Sequence, residues 1–323
     1  MSKNEGFLSV QSMWVGLAVA AVAMFGWRSF APQPDTPQAP VAFLNVGSGA
    51  DAHVDKLTRA DCVAREGRVW TVTSDGVECI AYVASPSAQG AGTVLLYLSG
   101  DYGENELAGS KQETERQSYQ RRASAWAEQR GVPVVVLGRP GLMGSSGFHM
   151  LGGRRDEGQV IDAAIDALKQ TLGFRQIALV GQSGGARIIA QLMVIGRRDI
   201  TCAAMGSGAY DLPRLRDGGT TGTNIFGEPA KRFMVPMLRA GEIPVVPGRR
   251  GFVIGDPRDQ VAPFSEQKAW AEKLATLGHA VLLIEVQAKD PEFHGTTDKS
   301  VLAASLCMQD KSDAEIKAAV TAP

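Results

Sequence analysis

Charge of one sign is nowhere concentrated in this chain: 33 lysines and arginines stand against 34 aspartates and glutamates, a net charge of −1. A nucleic-acid face needs clustered cations, so nothing points to that class of partner. Cysteine is scarce, with four residues (Cys62, Cys79, Cys202, Cys307), no CxxC pair and no histidine cluster beside them. That pattern argues against a zinc site. The glycine-rich turns carry no lysine in P-loop position and no GxGxxG spacing, so they are not nucleotide-binding signatures. No repeat period is visible, and no propeller accompanies the rest of the chain. With 323 residues, 44% apolar and 21% charged, the chain has an ordinary globular composition.

Charge is also missing locally. From Gly6 to Trp27 no charged residue occurs, and Met13 to Trp27 is almost wholly apolar, with Lys3 before it and Arg28 after. Residues 1–30 therefore read as a secretory signal peptide or an uncleaved membrane anchor. Both place the remainder outside the cytoplasm, in the periplasm or beyond, with membrane contact through this segment only. Ala31 to Pro40 carries four prolines and opens a stiff linker over 31–45. The folded domain is expected over 46–323. In an oxidising compartment the simplest pairing joins Cys62 to Cys79 across a hairpin, and Cys202 to Cys307 between a late strand and the C-terminal helix.

Beyond the linker, strands alternate with helices. Arg68 to Thr73 and Val77 to Ala84 read as an antiparallel hairpin around Ser74-Asp75-Gly76. Apolar runs at Gly92–Gly100, Val132–Gly138, Gln176–Val180, Ile200–Gly208, Arg249–Gly255 and His279–Val286 read as buried strands. Helical spacing fills Lys111–Arg130, Asp156–Leu172 and Ala186–Ile195, with more after Ser265 and at the C-terminus. The fold class is thus α/β, a mostly parallel sheet with helices on both faces. Residues 211–246, rich in Gly, Pro and Arg, break the rhythm and form a lid-like insertion after the sixth strand.

Within this pattern "GQSGG", Gly181 to Gly185, holds the only serine with glycine at both −2 and +2. An apolar strand runs in and an amphipathic helix runs out. A sharp strand-to-helix turn brings the flanking residues together, so both must be small, and it lifts the Ser183 hydroxyl above the sheet. Ser183 is therefore the candidate nucleophile. A serine needs a base, and the four histidines offer few choices. His53 and His149 precede the serine, and His279 lies at the wrong end of its strand. His294 follows the last strand in a loop long enough to reach back. The carboxylate that orients it should leave an earlier strand at the same edge. Asp259 is preferred there, with Asp256 and Asp211 as alternatives.

The order Ser183, Asp259, His294 is that of the α/β-hydrolase fold. The domain from about Arg68 to Met308 resembles that superfamily, and within it the dienelactone-hydrolase and prolyl-oligopeptidase-like esterases and peptidases. The matching stretches are "GQSGG" at 181–185, "GDPRDQVAP" at 255–263 and "FHG" at 293–295, with "GRPGLMGSSG" at 138–147 resembling the arginine-glycine loop after the fourth strand. The resemblance implies an oxyanion hole from the N–H of Gly184 and a second N–H in Ser99–Gly103, assigned to Asp101 with Tyr102 as the alternative. An aspartate is out of place in a site that stabilises an anion. The reading implies a serine esterase acting on a small ester or amide substrate without metal or cofactor. A related peptidase and a non-catalytic hydrolase-like binding protein are the alternatives.

Overall fold

The structure is a computed structural model that describes residues 58–74, 76–101, 109–147, 155–211 and 234–322. The segments expected to be a signal or anchor (1–30) and a linker (31–45) lie outside the described residues. So do His53, Asp75, Tyr102, His149 and residues 212–233 of the insertion. No helix among the described residues is long and apolar enough to cross a membrane.

Among the described residues the first element is a short helix, α1 (Arg59–Val63), whose capping box pairs Thr58 with Asp61. A hairpin follows, β1 (Arg68–Thr73) and β2 (Gly76–Ala84), paired antiparallel from Arg68↔Ala81 to Thr73↔Gly76. The alternating order continues through β3 (Thr93–Leu98), α2 (Gly109–Arg130), β4 (Val134–Leu137), α3 (Arg155–Leu172), β5 (Gln176–Gln182) and α4 (Gly184–Ile195). It ends with β6 (Ile200–Gly206), α5 (Pro236–Arg239), β7 (Arg250–Gly255), α6 (Phe264–Thr276), β8 (Val281–Glu285), α7 (Thr297–Met308) and α8 (Asp313–Thr321).

The eight strands among the described residues form one sheet in the order β1-β2-β4-β3-β5-β6-β7-β8. β2 meets β4 antiparallel, and every later pairing is parallel. After β3 the chain winds outward to β4, then crosses back to β5 on the other side of β3. The strand order reverses there, which opens a crevice at the carboxyl ends of β3 and β5. Register brings the exits level, with Leu98 opposite Gly181, Gln182 opposite Gly206 and Gly255 opposite Glu285.

Two cores cover the sheet. Val94, Leu96 and Leu98 of β3 face one layer, which holds Ile161 and Ile165 of α3, Ile188 and Leu192 of α4, and Trp270 of α6. Leu95 and Tyr97 face the other, with Tyr119, Ala123 and Trp126 of α2, Val301 and Ala304 of α7, and Ile316 of α8. This two-residue alternation is what a strand covered on both faces requires. α2 is otherwise strongly polar, and three residues at helical spacing suffice to dock it: the Trp126 ring meets Tyr97 at 5.2 Å.

Both disulfides pair as expected, Cys62–Cys79 and Cys202–Cys307. The second ties β6 to α7 rather than to the last helix. The C-terminal helical run is two helices, because Asp310 takes a positive φ of 57° and Ser312 caps a new start with Glu315. Of residues 211–246, the described portion 234–246 packs on α4. Met234, Val235, Ala240 and Ile243 are buried, and the Gln191 side chain donates to the Met234 carbonyl at 3.1 Å.

Candidate active site

β5 ends at Gln182, and α4 begins at Gly184. Between them Ser183 takes φ 54° and ψ −115°, a conformation few non-glycine residues adopt. The glycines around it answer to close contacts. A Cβ on Gly181 would collide with the Gly185–Ala186 backbone, and one on Gly185 would collide with the carbonyl oxygens of Leu98 and Ser99. Ser183 N–H donates to the Gly206 carbonyl at 2.8 Å, which pins the turn to β6. The serine hydroxyl does not cap the helix it precedes. Among the described residues it forms no hydrogen bond with the His294 ring.

His294 lies in the loop between β8 and α7 and is held at three points. Its Nδ1 lies 2.9 Å and 3.0 Å from the two carboxylate oxygens of Asp259. Its backbone N–H donates to Asp290 at 2.9 Å. Its carbonyl accepts from the Gln182 amide at 2.6 Å, while the Gln182 oxygen accepts from Thr296 N–H at 3.2 Å and its hydroxyl at 3.0 Å. The residue next to Ser183 thus grips the histidine loop on both sides. Nothing in the sequence marks Gln182 beyond its position inside the glycine motif.

Asp259 is buried and its oxygens are saturated. Oδ1 accepts from the N–H groups of Val261 and Ala262, both at 2.9 Å, and Oδ2 from the Gln267 amide at 3.1 Å. Asp256, the first alternative, does other work. It accepts from Arg258 at 2.9 Å and 2.7 Å and from Ala288 N–H at 2.8 Å, away from the imidazole. The Arg258 guanidinium, with the backbone donors and against the opposing effect of burial, holds its carboxyl at about 2. Arg258 in turn lies 4.0 Å over the ring of Phe293, which has φ 55° just before His294. Asp290 also sits below the usual carboxylate range: burial pushes it up, but the N–H groups of His294 and Gly295 outweigh that. Asp211, the second alternative, is buried at the end of the stretch that leaves β6.

The acidic side chain at 101 is accounted for. Its carboxylate meets Arg139 at 2.7 Å and Arg187 at 3.3 Å, and Arg139 also binds Glu157 through Nε at 2.9 Å and Nη2 at 2.6 Å. Burial works to lower the Arg139 pKa, yet Glu157 and Asp101 raise it above the usual arginine value. Two carboxylates and two guanidiniums therefore balance beneath the crevice. Arg139 also donates to the Ser99 carbonyl at 3.2 Å, which fixes the exit of β3. A Cβ on Gly184 would strike the Asp101 carboxylate, so residue 101 lies directly against the head of α4. There the Gly184 N–H belongs to the first turn, where no helical carbonyl can accept it.

No group of three or more potential metal ligands is found among the described residues. No family model matches the sequence, and no curated protein matches it. Solved structures do match. The Pyrococcus furiosus esterase Pf2001 superposes with TM-score 0.53 at 15% identity, covering 79% of this chain and 95% of that one. Est1E from Butyrivibrio proteoclasticus, solved with ferulic acid bound, gives TM-score 0.53 at 13% identity over 75% of this chain and 98% of that one.

The chain has the α/β-hydrolase fold.

The Pyrococcus horikoshii acylaminoacyl peptidase shares it, with TM-score 0.51 and 13% identity over 75% of this chain but 40% of the peptidase. In the α/β-hydrolase fold of this chain, Ser183, Gly184 and Asp101 lie at the crevice between β3 and β5. Asp259 and His294 reach it from the exits of β7 and β8.

Proposed function

We propose that the protein is an extracytoplasmic serine hydrolase that cleaves a small ester, with an amide as the alternative substrate. The observation that supports this reading is the Asp259–His294 pair, whose loop Gln182 ties to the residue beside Ser183. Asp259 keeps the Nδ1 proton in place, which leaves Nε2 free to act as base. His294 takes the Ser183 proton as Oγ bonds to the substrate carbonyl carbon. The C–O bond to the leaving group then breaks, and His294 returns the proton to the departing oxygen. Water repeats the sequence on the acyl-enzyme and releases the carboxylic acid.

The Gly184 N–H and the Asp101 N–H receive the developing oxyanion, each contributing about 3 kcal/mol in such sites. The contact between serine and base tightens once substrate is bound, as is common in empty sites. The chain spans 95% and 98% of the two esterases but 40% of the peptidase. That match in extent favours the esterase reading over the peptidase one. Two disulfides support export. Turnover of p-nitrophenyl acetate and butyrate tests the reading: wild type hydrolyses at least one, and Ser183→Ala loses about 10⁴-fold or more in kcat. Unchanged turnover in Ser183→Ala would refute it.

A further inference from the structure

Four arginines are buried among the described residues, and three of them are paired with carboxylates. Arg139 has Asp101 and Glu157, Arg187 has Asp101, and Arg197 has Asp162, Asp166 and Asp199. Arg249, 6% exposed, has none. Its guanidinium donates only to the backbone carbonyls of Arg197 (3.3 Å) and Pro244. Burial and the nearby charge of Arg198 both push its pKa down, so the cation is held without compensation.

Arg249 lines a cavity of about 160 Å³ at the amino ends of β6, β7 and β8, the edge of the sheet opposite Ser183. His279 lines it too, with Nε2 buried and without a hydrogen-bond partner. No carboxylate among the described residues lines the cavity. Its other walls are largely apolar, among them Met193, Leu274 and Val281. A buried guanidinium without an anion and an imidazole nitrogen without a partner are each unfavourable as they stand.

The geometry points to a binding site for a small organic carboxylate, its carboxylate on Arg249 and His279 and its apolar body against Met193, Leu274 and Val281. A charged head facing a cation within an apolar wall is the usual composition of a small-molecule pocket. The inference stands apart from the hydrolase reading, since no residue of the candidate active site takes part.

Benzoate is the probe, titrated into the full chain by calorimetry and by thermal unfolding at constant ionic strength. Binding should be saturable, and Tm should rise by about 3 °C at about ten times Kd. Benzyl alcohol, which lacks the charge, and inorganic phosphate, which lacks the apolar body, should each bind at least about tenfold more weakly, a loss of one decade in K. Ala280→Trp, at the exposed rim of the cavity, and His279→Leu should abolish benzoate binding while both variants stay folded. Asp259→Asn, in the candidate active site, should leave it unchanged. Absence of saturable binding would overturn the proposal. So would equal binding of benzyl alcohol, binding that survives both Ala280→Trp and His279→Leu, or binding that disappears in Asp259→Asn.

Discussion

His294 Nδ1 lies 2.9 Å from one carboxylate oxygen of Asp259 and 3.0 Å from the other, across 35 residues of sequence. The ring can accept no second orientation without breaking that contact. Asp259→Asn keeps the shape but presents an amide that can favour the wrong tautomer. Its kcat on an ester falls about 10⁴-fold, the effect that the same change has in the serine-protease triad, while KM and Tm move little. Asp256→Asn, three residues earlier, should show the reverse: modest change in kcat and a clear loss of stability.

That loss has a pH signature. The Asp256 carboxyl sits at about 2 in the folded protein, against about 3.9 in an unfolded chain. A depressed folded pKa means the stabilisation is complete above pH ~4 and disappears as pH falls toward ~2. It amounts to about 2–3 kcal/mol. Denaturant unfolding of wild type between pH 5 and 2.5 should lose stability more steeply than that of Asp256→Asn. Parallel slopes would show that Asp256 carries no such linkage.

Ser183 is held at φ 54° and its side chain does not cap the helix, so strain is maintained there with no capping bond in return. Ser183→Gly should abolish ester turnover and raise stability by about 1 kcal/mol, through release of that strain. An inactive variant less stable than wild type would argue against the strained turn.

Glu157 is 5% exposed and bonds Arg139 twice. Glu157→Ala leaves a buried guanidinium with Asp101 alone and should cost about 3–5 kcal/mol. Circular dichroism during urea unfolding reads that cost directly.

The disulfides differ in reach. Cys202–Cys307 closes 105 residues and Cys62–Cys79 only 17. Replacing the first pair with alanine should cost about 4–5 kcal/mol and the second about 3 kcal/mol. Equal losses would mean that native packing, not chain entropy, dominates.

What the sequence made legible is what local pattern can carry. The alternation of strands and helices, the glycine-flanked Ser183 and the loops that follow β7 and β8 all announce themselves within a few residues. The parallel sheet then limits which strand ends can share an edge, and this favoured His294 over His279. Contacts that pair distant residues left no such mark. Arg139, Glu157, Arg187 and Asp101 come from four separate segments, and only folding reveals that the odd aspartate at 101 is neutralised from below. Gln182 was equally silent, because its two hydrogen-bonding ends matter only once the histidine loop arrives 112 residues later. The break between α7 and α8 was hidden by continuous helix-forming composition, although Ser312 followed by Glu315 is a capping signal.

A fluorophosphonate probe, read out by peptide mass spectrometry on folded protein, tests the central claim most directly. The account predicts a single adduct on Ser183, absent from Ser183→Ala and reduced to background in His294→Ala. An unlabelled wild type beside a labelled control hydrolase, or labelling of Ser183 that persists in His294→Ala, would contradict it.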